Sequence, residues 1–420
     1  MNYDTVVVGA GVAGLSAAVR LAESGQRVVV LAKGVGATHL TGATIDVLGY
    51  RPERVESPAR SLPGFVGSHP DHPYARLPAK AIPESIEWLK SHVAMYRYVG
   101  SWDRNFLLPT AVGTPKPTAV APETMTAGDL RRGGRFAIIG FRALKDFYPA
   151  YCADNLSRAK VSAGASIEAR GISVDLPVGG EADVGPLAFA RRFDDAEFRK
   201  VLMGQLQDLI QPGESVGFPA VLGLREPRAA WQELQDALAA PVFEIPTLPP
   251  SVAGIRLFDS LKQSLRRAGG RLITGGEVIG AETDGDRVKA VIQQASARPV
   301  AYAGRWFVLA TGGFASGGLR MDSHGAVREP ILGLPVSGVP GRDEPRFSPA
   351  YFGRHPMATA GLSVDGRLRP VDEGGEPIYQ NLFAAGATLA GAIPWQEKSG
   401  EGISLSTGYA AASSVLRGAA

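Results

Sequence analysis

The apolar pattern is sharpest at the start of the chain. Residues 4–8 (DTVVV) and 27–32 (RVVVLA) are short apolar runs, and residues 12–24 between them place small side chains on one face at helical spacing. Short apolar runs bounded by glycine read as buried strands, and the 3.6-residue period reads as a helix. The opening unit is therefore strand, glycine turn, helix, strand. Between 51 and 128 the pattern breaks into proline- and arginine-rich sequence, with one helical period near 80–94. The rhythm returns at 136 with FAIIGF, a helix near 143–158, ASIEARGISV, a helix near 195–210, SVGFPAVL, a helix near 228–239 and VFEI. This alternation predicts a second α/β lobe with a partly parallel sheet.

The stretch PTLPPSVAGIRL (246–257) is a proline-stiffened junction into a helix that ends at RRAGG. Two alternating runs then flank TDGDR, which predicts a β-hairpin. RWFVLATGG returns a strand, and NLFAAGATLAG followed by GEGISLSTGYAAASSVLRGAA predicts a last strand, a loop and a terminal helix. The organisation expected is a discontinuous nucleotide-binding domain (1–60 and 246–420) with an inserted capping or substrate lobe (61–245).

Composition narrows the picture mostly by exclusion. A net charge of +3 without a basic block gives no sign of a nucleic-acid partner. The single cysteine, Cys152, rules out an internal disulfide framework and a cysteine-ligated iron–sulfur cluster within the chain. The first strand follows Met1 almost at once, so no targeting segment and a reducing, cytoplasmic setting are expected. No run of about 18 apolar residues is present, so no membrane span is expected.

Gly9, Gly11 and Gly14 form G-x-G-x-x-G between the first strand and the first helix. In that context the first glycine permits a tight turn, the second lets backbone N–H groups approach a pyrophosphate, and the third lets helix and strand pack closely. Three later turns favour a flavin over a nicotinamide: Gly312 after VLATG, Gly386 in NLFAAGA, and Gly402–Ile403 in GEGIS. The last of these opens a helix whose positive end suits negative charge on the N1/O2 edge of a reduced flavin.

With these segments in hand, the chain resembles the fumarate reductase/succinate dehydrogenase-type flavoproteins, and within them the B-subunit family of anaerobic glycerol-3-phosphate dehydrogenase. DTVVVGAGVAGL, GATHLTGATIDVLG (36–49), FAIIGFRALKDF, PTLPPSVAGIRL, GGFASGGL, REPILGL (328–334) and NLFAAG carry the resemblance over nearly the whole chain. It implies an α/β fold with a Rossmann-like flavin-binding domain of the two-dinucleotide type. It also implies oxidation of sn-glycerol 3-phosphate to dihydroxyacetone phosphate. The implied partners are a larger flavoprotein subunit and a membrane-associated iron–sulfur subunit that feeds quinone, which would hold this chain at the inner face of the membrane. FMN is the cofactor implied for this chain, with FAD as the alternative.

Two departures bear on the cofactor. The tip of the second strand, where an acid usually grips ribose, holds Ala32 and Lys33, and Gly386 is followed by Ala387 rather than an acid. Weak ribose anchoring favours FMN. Thr38, His39, Thr41 and Gly42 lie in the loop that contacts the isoalloxazine ring in related flavoproteins, and Lys33 faces either the pyrophosphate or solvent. His324 as base and Arg328 as anion clamp, with Glu329 beside them, form the candidate catalytic set; the alternative is a surface histidine next to an Arg328–Glu329 ion pair. Arg256 either binds a phosphate or ties the junction helix to the sheet. Two other functions stay open: a stand-alone flavin-dependent oxidoreductase on another small anion, and a non-catalytic scaffold or electron relay.

Overall fold

The structure is a computed structural model that describes every residue except 1, 162, 163, 181, 297, 342, 352 and 420. The chain opens with β1 (Asn2–Val8), α1 (Val12–Glu23) and β2 (Val28–Ala32). Helices α2 (Pro58–Ser68) and α3 (Ala81–His92) follow. The next block alternates β3 (Gly134–Phe141), α4 (Pro149–Arg158), β4 (Ile167–Val174), α5 (Pro186–Phe193), α6 (Ala196–Leu206), β5 (Glu214–Pro219), α7 (Pro227–Leu238) and β6 (Val242–Ile245). Helix α8 (Val252–Arg267) leads to β7 (Arg271–Thr274), β8 (Glu277–Asp284), β9 (Arg287–Gln294), β10 (Pro299–Leu309) and β11 (Leu382–Ala384). The one-turn α9 (Pro394–Glu397) precedes the terminal α10 (Gly400–Ala419).

The first sheet has seven strands in the order β7–β2–β1–β10–β9–β8, with β11 also beside β10. Strands β7, β2, β1, β10 and β11 are parallel, and the expected TDGDR hairpin joins β8 to β9. All five residues of β2 are buried, because layers cover both faces of the sheet. Helix α1 is correspondingly built from small residues: Ala13, Gly14, Ala17 and Ala18 are buried between the sheet and α8 and α10. At Gly408 of α10 a Cβ would lie 2.2 Å from the Ala13 carbonyl oxygen, so only glycine permits this helix contact.

The second sheet, β4–β3–β5–β6, is parallel throughout and encloses its own core, with Ile138, Phe189, Phe218 and Phe243 among its buried residues. This core draws on residues from Leu107 to Val252. Leu62, Phe65, Ile82, Ile86 and Leu89 lie within the expected 61–245 lobe, yet they pack in the first core with β1 and α1. The apolar pattern gives no sign of helix α2, because Pro63 lies inside it. Pro58 in its first turn and the Ser57 hydroxyl, which accepts from Arg60 N–H at 3.3 Å, start it nonetheless. Helix α5 likewise falls outside the predicted elements, and the helix expected over 143–158 begins only at Pro149, after a turn.

Candidate functional site

The registers Val8↔Leu31, Val8↔Leu309, Ala32↔Thr274 and Leu309↔Ala384 bring the carboxyl ends of five parallel strands to one edge. Open α/β sheets bind ligands outside such an edge. At its centre Gly9 has φ +111°, and a Cβ there would lie 2.1 Å from the Ala310 carbonyl oxygen. A Cβ on Gly14 would lie 2.0 Å from the Gly9 carbonyl oxygen. Gly11 differs: nothing lies within 4 Å of its missing Cβ, and it caps α1 with no side-chain hydrogen bond. Two of the glycines let protein pack on protein, while the third leaves a cradle open beside an uncapped helix end, an arrangement that can hold an anion.

The Ala37–Leu40 turn lies against the start of α8. The His39 carbonyl accepts the Ser251 N–H at 2.8 Å, and the Thr38 carbonyl sits where a Gly254 Cβ would be. The Thr41 N–H and hydroxyl both donate to the Thr38 carbonyl, and Gly42 fits against Pro246. The His39 ring meets Phe258 edge-on at 5.0 Å, and burial pushes its pKa down, which favours the neutral imidazole. On the other side, Gly312 turns with φ +75°, and Gly386 with φ +78° donates its N–H to the Thr407 hydroxyl at 2.8 Å. Gly402 N–H donates to the Asp46 carbonyl at 3.0 Å, and buried Ile403 donates to the Ser399 carbonyl.

Buried polar atoms normally have partners, so those without one are informative. Thr38 Oγ1, His39 Nε2, Thr311 Oγ1 and Thr388 Oγ1 are buried and lack a protein partner, and all four lie in or beside these loops. Together with the Gly11 cradle they fit a flavin: an anion at the helix end and hydrogen-bonding edges beyond it.

A polar centre that the sequence reading misses sits at the start of α10. The Asp46 carboxylate accepts from the Lys116 ammonium at 2.8 Å, from the Thr44 hydroxyl at 3.0 Å and from the Thr118 hydroxyl; Lys116 also reaches Thr44 at 2.6 Å. Burial opposes the Lys116 charge, but Asp46 and Glu401 outweigh it and hold its pKa above the ordinary value. Glu401, in the first turn of α10, is pushed up to about 7 by burial and by Asp46, against the pull of Lys116. A carboxyl of that kind exchanges a proton at neutral pH. The signal in the sequence is faint: single charges inside apolar or proline-rich runs (TIDVLG, TPKPT), joined only by the fold.

The other expected residues are placed differently. Arg256 is fully buried and its guanidinium is taken up by Glu244 (2.8 and 3.0 Å) and the Gly223 carbonyl, so it ties α8 to the inserted lobe and cannot clamp a substrate phosphate. His324 and Arg328 are exposed on a two-stranded hairpin, where Asp322 accepts the His324 N–H at 2.9 Å. Glu329 is buried and accepts from Ile331 and Leu332 N–H groups at 2.8 Å each, closing its own turn rather than pairing with Arg328. Arg320, across that hairpin from Arg328, binds Glu277, which also lies 3.6 Å from Lys33. The hairpin is thereby tied to the tip of β2, whereas the carboxyl raised towards neutrality, Glu401, lies at the start of α10.

A sequence profile of the FAD binding domain family matches residues 4–403. The probable anaerobic glycerol-3-phosphate dehydrogenase B subunit of Halobacterium salinarum is 33% identical over 98% of this chain and 97% of its own length. The anaerobic glycerol-3-phosphate dehydrogenase B subunit of Vibrio cholerae is 30% identical (99% and 97%), and that of Pectobacterium carotovorum subsp. carotovorum 31% (99% of both). The chain belongs to the B-subunit family of anaerobic glycerol-3-phosphate dehydrogenase. It is a flavin-binding α/β protein. The family profile gives no support to FMN as the first choice of cofactor.

Proposed function

We propose that this chain is a flavoprotein subunit of a quinone-linked glycerol-3-phosphate dehydrogenase, oxidising sn-glycerol 3-phosphate to dihydroxyacetone phosphate. The observation that carries the reading is kinship over almost the entire length of both chains, in sequence that includes both lobes. We infer FAD as the flavin, on the strength of a family match that spans residues 4–403.

Bound flavin supplies the hydride acceptor; the chain must take up the hydroxyl proton and hold the substrate phosphate. Glu401 suits the first task, since its raised pKa lets it alternate between acid and base near neutrality. The Lys116 ammonium, held by Asp46 and Thr44 and stabilised by the Glu401 charge, keeps its third N–H for an anionic substrate. This assignment replaces His324, Arg328 and Glu329, whose side chains face solvent or their own turn. Electrons leave through an iron–sulfur partner, with a larger flavoprotein subunit completing a complex peripheral to the inner membrane face; the chain's one cysteine is buried and supplies no cluster. The fold reads as a discontinuous flavin-binding domain with the Gly134–Ile245 sheet as the inserted lobe, and limited proteolysis that releases that lobe intact would support the division.

The test is turnover. The chain purified with its partners is expected to reduce a quinone analogue with glycerol 3-phosphate. No turnover by a flavin-loaded complex overturns the reading. Dye reduction by the lone chain with a different small anion favours a stand-alone oxidoreductase. Full complex turnover by both E401Q and K116M points to a relay or scaffold role.

A further inference from the structure

We propose that Glu277 supplies the ribose-gripping carboxylate that the tip of β2 lacks, and that this borrowed acid selects FAD over FMN. The inference rests on the flavin reading above and concerns which flavin is held.

In dinucleotide-binding sheets the acid sits at the carboxyl end of the second strand, where the ribose hydroxyls lie. Here that end is Ala32–Lys33, and Lys33 has no acceptor atom on its side chain to offer a hydroxyl. The neighbouring strand brings a carboxylate to the same place. Strand β7 runs parallel to β2 with Thr274 opposite Ala32. The chain then turns at Gly275, with φ +95°, and the Gly275 N–H donates to the Ala32 carbonyl at 3.1 Å. The turn is held from the other side by Gln293, whose side-chain amide donates to the Gly276 carbonyl at 2.8 Å. Strand β8 starts at the next residue, Glu277, with one carboxylate oxygen 3.6 Å from Lys33 Nζ and the other on the Arg320 guanidinium. The acid thus arrives within side-chain reach of the residue that occupies the usual acid position, on a backbone pinned at two points.

Its surroundings suit a ligand-facing role. The Glu277 side chain is 34% exposed, while Val278 after it is buried. The side chain therefore stands at the surface of the edge on a fixed base. An ionised carboxylate has about four lone-pair sites, so the contacts with Lys33 and Arg320 leave it able to accept from two vicinal hydroxyls. FMN has no adenosine ribose, so an acid here gives it nothing. A site that keeps one is built to hold the longer cofactor.

The bland alternative is a surface ion triad that only joins β8 to the hairpin, and the experiment separates the two. Protein stripped of flavin is titrated with FAD and with FMN, following quenching of flavin fluorescence, for the native chain, E277A, E277Q and K33A. Thermal unfolding of the flavin-free forms controls for folding. The native chain is expected to bind FAD more tightly than FMN. In E277A and E277Q the FAD Kd rises at least about tenfold, the lower range for hydrogen bonds to a charged group, and the FMN Kd stays within about twofold of native. In K33A, which removes the Lys33 arm of the triad but keeps the acid and its Arg320 contact, FAD affinity is retained. If E277A loses both flavins equally, or K33A behaves like E277A, the triad is structural and the assignment fails. If the native chain takes FAD and E277A and E277Q keep it, Glu277 is likewise dismissed while the FAD reading stands. If the native chain takes FMN and rejects FAD, both fall together.

Discussion

At the seam of the inserted lobe, the buried Arg256 guanidinium meets Glu244 and the Gly223 carbonyl, and Glu244 also accepts from the Thr124 hydroxyl and the Leu222 N–H. At the carboxyl edge of the first sheet, the Thr38, Thr311 and Thr388 hydroxyls and the His39 Nε2 are buried with no protein partner. Both regions place polar atoms away from water, where an unpaired group costs about 1–3 kcal/mol. One region offsets that cost internally, and the other leaves its polar atoms open to a ligand. The contrast shows why Arg256 looks functional in the sequence and is structural in the fold. A buried charge paired with a buried carboxylate, and with every guanidinium nitrogen engaged, is not available to a substrate.

The largest expected effect tests the satisfied half. Arg256→Ala or Glu244→Ala leaves one buried charge unpaired and is expected to cost about 3–5 kcal/mol of stability by denaturant midpoint. Replacing both with apolar residues of similar size is expected to cost much less. A single substitution without measurable loss breaks the account of the seam.

The glycine turn sharpens the other half. Gly14→Ala puts a Cβ 2.0 Å from the Gly9 carbonyl oxygen, so both the flavin-free melting temperature and flavin binding are expected to fall. Gly11→Ala meets nothing within 4 Å. It is expected to change flavin-free stability by less than about 1 kcal/mol, while flavin affinity drops at least about tenfold, as for loss of one hydrogen bond to a charged group. Equal behaviour of the two variants in both assays defeats the distinction.

Glu401 gives a pH signature between those extremes. Its pKa is raised in the folded chain, so folding favours its protonated form, and its presence weakens the fold progressively as pH rises from about 4.5 to about 7. Glu401→Gln is therefore expected to match the native protein near pH 4 and to melt higher than it at pH 8. Parallel pH profiles for the two proteins contradict a carboxyl whose pKa is raised by the fold. Smallest of all, Thr38→Val removes an unpaired hydroxyl. Flavin-free stability is expected to hold or rise slightly, and flavin affinity to weaken severalfold, as for one neutral hydrogen bond of about 1 kcal/mol. Unchanged flavin binding removes Thr38 as a marker of the site.

Local rules make the nucleotide end legible. The spacing of Gly9, Gly11 and Gly14 between two apolar runs forces one turn, and the DG pair in TDGDR forces one hairpin. What local rules cannot reach is anything decided by partners distant in sequence. Asp46, Lys116 and Glu401 meet across three separate segments, and none of those segments advertises the meeting. Helix α2 is hidden by Pro63, whose cost the cap at Ser57 and burial of Leu62 and Phe65 offset. The missing acid after β2 is legible as an absence, but Glu277 comes close only through the parallel register of β7 with β2.

The close contact of α10 with α1 has a consequence for how the cradle is assembled. The Ala13 carbonyl on the first helix is covered by Gly408, and the Ala13 methyl by the Gly386 turn. The floor of the cradle is thus laid near residue 13 and its walls near residues 386 and 408, almost the whole described chain away. Contacts this distant along the chain form late. Flavin affinity is therefore expected to depend on the seating of α10 as much as on the glycines of the first turn.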